Sequence, residues 1–336
     1  MASIDENIFS DPLTATTKHL IAEALWGPRL IVQQFSNGER SQEMKLDAYF
    51  RFYMASCART LHSSGSQIQT HRQLMHIVQQ LRSGCTRDTI RDSISSLDPL
   101  CHADATIDLA AQLLLMLNFT TPRYAISGTN RVLWTDGAVE SSVQQYFSSP
   151  PTLIDTSVTL DTDFTGYNIE KVAGIGIFWT DNLADHLRLI EGERKVAIFH
   201  HVTFLECQQN SLLPRDLVKE TLRTISLLFP EGDRNTARKY RSNTDIDGRV
   251  LRCGQLHGMQ RDINYFFHWR DRVVMLKQKY DDTHPKTINQ WWWDRRNGVQ
   301  WYTFWVAILI LILTTLFGLV QSVEGALQVY KAFVPA

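Results

Sequence analysis

The 336-residue chain sets 34 Lys and Arg against 35 Asp and Glu, a net charge of −1, and is 44% hydrophobic. That balance suits a folded protein of one large or two ordinary globular domains and excludes the basic domain typical of a nucleic-acid binder. Five scattered cysteines (Cys57, Cys85, Cys101, Cys207 and Cys253) form no Cys-x-x-Cys pair, so they read as reduced thiols of a cytosolic protein. The opening Met1-Ala2-Ser3-Ile4-Asp5-Glu6 has neither a basic nor an apolar leader region, so no signal peptide is expected, and Ala2 excludes N-myristoylation.

Apolar periodicity predicts helices over 48–62, 71–82 and 105–117, with a shorter one over 88–95. Leu109, Leu113, Met116 and Leu117 give the third of these a core-facing stripe. Ser148-Ser149-Pro150-Pro151 is the clearest break, and residues 1–150 are read as one helical cytosolic region. Residues 151–285 then read as an α+β cytosolic region. A strand is expected over 171–179, and 186–190 with 195–200 flank Glu191-Gly192-Glu193 as a hairpin. Pro214 opens a helix that Pro230 ends, with Leu217, Val218, Leu222, Ile225 and Leu228 on its apolar face. A long helix over 260–280 is expected next, followed by an aromatic and basic interfacial segment over 286–300.

The transmembrane segment comes last. No Asp, Glu, Lys or Arg lies between Asn297 and Val323, and 301–320 reads WYTFWVAILILILTTLFGLV. Twenty helical residues rise about 30 Å, the thickness of the hydrocarbon layer. Twelve of the twenty are Leu, Ile, Val or Phe, which together favour insertion by roughly 5 kcal/mol. Trp291, Trp292, Trp293, Trp301, Tyr302 and Trp305 supply an interfacial belt, and Arg295 and Arg296 place positive charge beside it. Only Lys331 carries positive charge beyond the span, so the positive-inside bias predicts residues 1–300 in the cytosol and 321–336 as a short tail across the membrane. That is the layout of a tail-anchored protein. Helix is expected to continue to about 331. Gly318, Ser322 and Ala326 form a small-residue ridge that suits close approach of a second helix. Gln321, Glu324, Gln328 and Lys331 share one stripe, either solvated at the far interface or facing the axis of a homo-oligomer.

Motifs for chemistry are sparse. Gly-x-Ser-x-Gly, His-Glu-x-x-His and the phosphate-cradling Gly-x-x-x-x-Gly-Lys are all missing. Gly174-Ile-Gly176 lacks the third glycine of a dinucleotide fingerprint and reads as a bulge or a close packing contact. The densest ligand groupings are Cys253 with His257 and His268, and His200-His201 with Cys207. Neither has structural-zinc spacing, and adjacent histidines on a strand are expected on opposite faces. Asp181, Asp185 and His186 form a polar trio that could serve acid–base chemistry or simply turn the chain. Arg234, Arg238, Lys239, Arg241, Arg249 and Arg252 form a basic stretch, read as a solvated loop or a contact for anionic headgroups. No catalytic residue, metal or cofactor is assigned from the sequence.

Three segments carry a resemblance: 178–187 (FWTDNLADHL), 213–230 (LPRDLVKETLRTISLLFP) and, most specifically, 291–331 (WWWDRRNGVQWYTFWVAILILILTTLFGLVQSVEGALQVYK). Over about 165–333 the chain resembles a large group of membrane-associated proteins of filamentous fungi without an assigned activity. The resemblance implies membrane anchoring and supplies no catalytic residue. A vaguer similarity is to CorA-type metal-ion transporters, from which the chain departs by having one span and no Gly-Met-Asn after it.

The expected fold class is mainly α with a small β element (α+β) plus one C-terminal transmembrane helix. The expected function is a tail-anchored, non-enzymatic interaction protein, held by the lipid bilayer, self-associating, and presenting a cytosolic domain to an unknown protein partner. The alternative is a homo-oligomeric channel or transporter-like assembly. A membrane-bound enzyme using Asp181, Asp185 and His186 is a third class.

Overall fold

In the computed structural model the described residues are 13–27, 46–64, 70–97, 103–120, 128–153, 158–208, 212–283 and 298–333. They fall into two units, Met1–Glu170 with Gly174–Asp281, and Lys171–Ala173 with Asp282–Ala336.

In the first unit, helices α1 (Ala15–Trp26), α2 (Asp47–Ser64), α3 (His71–Arg82) and α4 (Arg87–Leu97) precede α5 (Ala103–Leu115). The start of α3 is written locally: Thr70 and Gln73 form a reciprocal capping box, and His71, Leu74, Met75, Ile77, Val78 and Leu81 bury one face. α5 differs, because Ala103, Thr106, Ile107, Leu109, Ala110, Ala111, Leu113, Leu114 and Leu115 bury nearly its whole circumference. Only the narrow stripe of Asp104, Asp108 and Gln112 is polar, so the helix sits inside, and α2, α3 and α4 all pack on it. Arg87 of α4 is wholly buried and reaches Asp108 at 2.7 Å and Asp104 at 3.1 Å on α5. Its guanidinium also lies 4.7 Å from the Trp134 ring centroid. A buried cation needs such partners, so this pair holds α4 in one register on α5.

The strands β1 (Phe119–Thr120) and β2 (Val132–Leu133) form a short parallel pair, followed by α6 (Val139–Phe147) and α7 (Gly166–Lys171). A methyl group on Gly166 would stand 2.7 Å from the Phe229 ring, so only glycine permits that approach.

The main sheet has the order β3 (Gly176–Thr180), β5 (Lys195–Phe199), β4 (Arg188–Ile190). The expected hairpin forms, with β4 antiparallel to β5, and its turn places Glu191, Gly192 and Glu193 at φ of 51°, 64° and 66°. β3 runs parallel to β5, ending with Thr180 opposite Phe199. β5 is central, and Val196, Ala197, Ile198 and Phe199 are buried on both faces, which explains its unbroken apolar run.

Helix α8 (Val202–Glu206) follows β5 directly, then α9 (Arg215–Leu228) and α10 (Arg234–Tyr240). α9 begins and ends as expected, with Pro214 as its N-cap and Phe229 as its C-cap. The long helix expected over 260–280 does not form as one piece. Single 3-10 turns occupy Gly258–Arg261 and Ile263–Tyr265, and α11 runs Arg270–Asp282. Asp262 accepts from Asn264 N–H at 2.8 Å, holding the short turn, and Phe266 is extended at φ −112° and ψ 124°. The buried Glu220 carboxylate of α9 then receives the N–H groups of Phe267, His268 and Trp269 at 2.9, 3.0 and 2.7 Å. Those donors would be tied up in a continuous helix, so a long-range cap overrides the local periodicity.

The second unit carries α12 (Gly298–Phe333), a helix of 36 residues. Its stretch Trp301–Lys331 has a mean hydropathy of 2.5 in its most apolar window, none of which is buried, although Trp301, Phe304, Trp305 and Ile308 are half-buried. The fold is thus mainly α with a small mixed sheet and one long, apolar C-terminal helix. Thr303, Thr314 and Thr315 donate to the carbonyls of Val299, Ile310 and Leu311 at 2.8, 2.6 and 2.8 Å, which hides their hydroxyls from an apolar surrounding.

Candidate functional site

Parallel strands β3 and β5 stop side by side, and the residues just past their carboxyl ends are Asp181 and His200-His201. Ligand sites in sheets of parallel strands favour this edge. Asp181 Oδ1 lies 2.7 Å from His201 Nε2 and 3.3 Å from His200 Nε2. The two rings stack with centroids 4.0 Å apart and planes 30° from parallel. The expectation that these histidines face opposite ways is therefore corrected: β5 ends at Phe199, so both lie in the turn into α8 and strand alternation no longer governs them. Both imidazoles are buried, whereas the Asp181 side chain is 50% exposed.

The hydrogen bonds assign the protons. Asp247 N–H donates to His200 Nδ1 at 3.2 Å, so the proton of a neutral ring sits on Nε2, facing Asp181. Asp247 is itself fixed, accepting from Thr203 N–H at 2.6 Å and Arg249 N–H at 2.9 Å. His201 Nε2 faces Asp181, while its buried Nδ1 has no hydrogen-bond partner among the described residues. Burial pushes the Asp181 carboxyl up, but hydrogen bonds from both imidazoles outweigh it and hold the group well below the usual carboxylate range. Burial pushes His201 down, His200 pushes it further, and Asp181 restores part, leaving it at about 4.

Asp181, His200 and His201 bring their ligating atoms within 4.8 Å of one another, a spacing that could hold a metal ion. The outer contacts argue otherwise. A histidine that binds metal through Nε2 donates its Nδ1 proton to an acceptor. Here His200 Nδ1 accepts a backbone N–H and His201 Nδ1 meets no acceptor among the described residues. The arrangement suits two N–H donors clamping one ionised carboxylate, which ties the end of β3 to the β5–α8 turn.

The trio of Asp181, Asp185 and His186 is divided by the fold. Asp185 is buried, accepting from Asn130 N–H at 2.9 Å and Asn182 Nδ2 at 2.8 Å. Arg188 Nε stands 2.8 Å from it as a charge partner, although its N–H is not directed at the oxygen. His186 is fully buried, with Nδ1 accepting from Phe199 N–H at 3.1 Å and Nε2 2.6 Å from the Thr224 hydroxyl. That hydroxyl donates onward to Thr221 O at 2.7 Å, so Nε2 carries the proton. Burial, then the charge of Arg272, lowers His186 to about 3. With both ring nitrogens engaged, His186 has none to offer a substrate.

The remaining candidates stay apart. Cys253 Sγ contacts Leu222 O at 3.5 Å, and His268 Nδ1 contacts Phe147 O at 3.0 Å. Burial raises the Cys207 thiol to about 12. Gly174 has φ 68° and Gly176 packs closely on Lys195, as a turn and a tight strand contact require. In the basic stretch, Lys239 pairs with Glu170 and Arg249 with Glu206, each at 2.5 Å. Sequence reasoning missed Asp247 and the Asp181–His pairing; the legible signal was a His-His doublet directly after an apolar strand.

On α12, Trp301, Tyr302 and Trp305 occupy the first two turns, with the Trp301 and Trp305 ring centroids 6.2 Å apart. Gly318, Ser322 and Ala326 are exposed, as are Gln321, Glu324, Gln328 and Lys331. Trp291, Trp292, Trp293, Arg295 and Arg296 lie outside the described residues. Compared with protein-family models, with curated proteins and with solved structures, the chain matches none.

Proposed function

We propose that the chain is a single-pass, tail-anchored membrane protein whose globular unit faces the cytosol and binds a protein partner. The observation that carries the reading is the stretch Trp301–Lys331, long and apolar with none of its most apolar window buried. An exposed surface of that size is unfavourable in water and suits a bilayer. Positive charge concentrated before the helix favours the cytosolic side for the globular unit. The engaged nitrogens of His186 and the clamped carboxylate of Asp181 favour a binding module over an enzyme. Alkaline carbonate extraction should leave the full chain in the membrane pellet and release a chain truncated after residue 297. Protease added to intact vesicles should digest the globular unit; its protection would reverse the orientation, and extraction of the full chain by carbonate would remove the anchor.

A second reading, a homo-oligomer through α12 with Gln321, Glu324 and Gln328 around its axis, draws on the open face of the helix. A side chain added at Gly318 would meet nothing within 4 Å, so that face is free for a second helix. Gly318→Ile should shift the protein to smaller assemblies in light scattering after detergent chromatography. A wild-type protein that is strictly monomeric there would end this reading.

A further inference from the structure

Residues 162–165 and 230–233, with the first turns of α7 and α10, wall an open cleft of about 400 Å³. Clefts for small ligands run from about 300 to 1,000 Å³. A cavity of about 150 Å³ admits benzene, so this one has room for a single sugar ring with a substituent.

Short-range bonds set both walls before any guest arrives. Asp163 O accepts from Thr165 N–H at 2.9 Å and from Asn168 Nδ2 at 2.8 Å. Asp233 N–H donates to Pro230 O at 3.2 Å, and Glu231 N–H donates to Gly254 O at 3.0 Å. A preformed site spends little free energy on ordering itself around a ligand.

Two polar side chains of the lining are already engaged: Asn168 as above, and Asp233, which caps α10 by accepting from Asn235 and Thr236 N–H. Thr162, Asp163, Tyr167, Glu231, Asn235 and Gln255 line the same cleft, and among the described residues none of these six side chains makes a hydrogen bond. Five of the six are exposed and Tyr167 is half-buried, so a guest can reach them all.

No Lys or Arg lines the cleft, whereas Asp163, Glu231 and Asp233 do, so an anion is disfavoured. Only Pro230 and Tyr167 offer sizeable apolar groups, too little for an apolar guest. The hydroxyls of Thr162 and Tyr167 and the amides of Asn235 and Gln255 donate as well as accept, while the carboxylates only accept. A cationic guest would use the acceptors and leave the donors unmatched. A sugar hydroxyl donates and accepts at once, so a ring of hydroxyls engages both kinds of group.

We propose that this cleft binds a free, uncharged monosaccharide, a hexose or N-acetylhexosamine, its hydroxyls held by Asp163, Glu231, Asn235 and Gln255 beside the Tyr167 ring.

The test uses the full chain in a polyoxyethylene detergent, because glucoside and maltoside detergents themselves present a sugar. Saturation-transfer-difference NMR is recorded with glucose, galactose, mannose and N-acetylglucosamine. At least one should show saturable transfer with half-saturation in the millimolar range, as expected for so small a ligand. Glu231→Ala and Asn235→Ala should each weaken it about tenfold, and circular dichroism should show both variants folded, since neither side chain has a partner to lose. Spermidine should leave the transfer unchanged. No saturable transfer from any of the four sugars, or transfer that survives both substitutions, would overturn the proposal. Displacement of the sugar by spermidine would reassign the cleft to cations. Transfer seen only with an alkyl glucoside would overturn the free-sugar assignment in favour of a glycolipid.

Discussion

Acidifying the full-length protein in detergent from pH 7 to pH 5 is expected to lower the stability of its globular unit by about 4 kcal/mol. Two buried imidazoles dominate, His186 held at about 3 and His201 held at about 4. In the unfolded chain each returns to about 6.5. Unfolding therefore takes up protons between the folded and unfolded values, and stability is fully present only above the unfolded value. As pH falls, it is lost progressively toward the folded pKa. At pH 5 each histidine forfeits about 2 kcal/mol. Asp181 acts in the same direction lower down, because its depressed carboxyl stabilises the fold above its ordinary range and ceases to as it protonates. The charged or titratable groups against His201 are Asp181, His200 and Asp247, and Arg272 acts on His186, so all these partners are internal to one unit. Urea titrations followed by tryptophan fluorescence at pH 7, 6 and 5 would measure the slope. His201→Gln should remove about half of it. Stability that stays level from pH 7 to 5 would show that neither imidazole is held neutral.

The second large effect concerns Glu220. Its carboxylate receives three consecutive backbone N–H groups, from Phe267, His268 and Trp269, and it is 4% exposed. Glu220→Ala would leave those donors buried and unmade, and a loss of about 3–5 kcal/mol is expected. Glu220→Gln keeps one acceptor but turns an amide NH₂ toward a backbone donor, so about 2 kcal/mol is expected. The two predictions are coupled. Trp269 donates its indole N–H to Thr221 at 2.9 Å and stands edge-on to the His186 ring, with centroids 5.1 Å apart. Loosening the 267–269 turn would thus uncover His186, and the acid sensitivity of Glu220→Ala should shrink as well. Chemical denaturation of both variants at pH 7 and 5 tests this. A loss below about 1 kcal/mol for Glu220→Ala would mean that solvent, not Glu220, satisfies those donors.

Elements governed by neighbours in the chain are legible in the sequence. The apolar run and threonine placement of α12, the proline-bounded α9, the capped α3 and the β4–β5 hairpin all follow from residues within a few positions of one another. Short-range chemistry settles those: side-chain period, fixed proline φ, and caps that bind the nearest backbone groups. The parallel pairing of β3 with β5 is another matter, because the run of β5 shows burial on both faces without naming the neighbour. That pairing creates the Asp181–His200–His201 cluster, joining positions about twenty residues apart. It also separates Asp181 from Asp185 and His186, which look like one site in the sequence.

Likewise, the 260–280 periodicity promises a continuous helix, but Glu220, some fifty residues earlier, takes its backbone donors. By itself the sequence determined the helices α2, α3, α4, α5 and α9, the β4–β5 turn and which helix is long and apolar enough for a bilayer, since those depend on local geometry and composition. Tertiary structure alone decided which polar groups meet, which are left unsatisfied and which histidines stay neutral, because each depends on partners brought together only by burial.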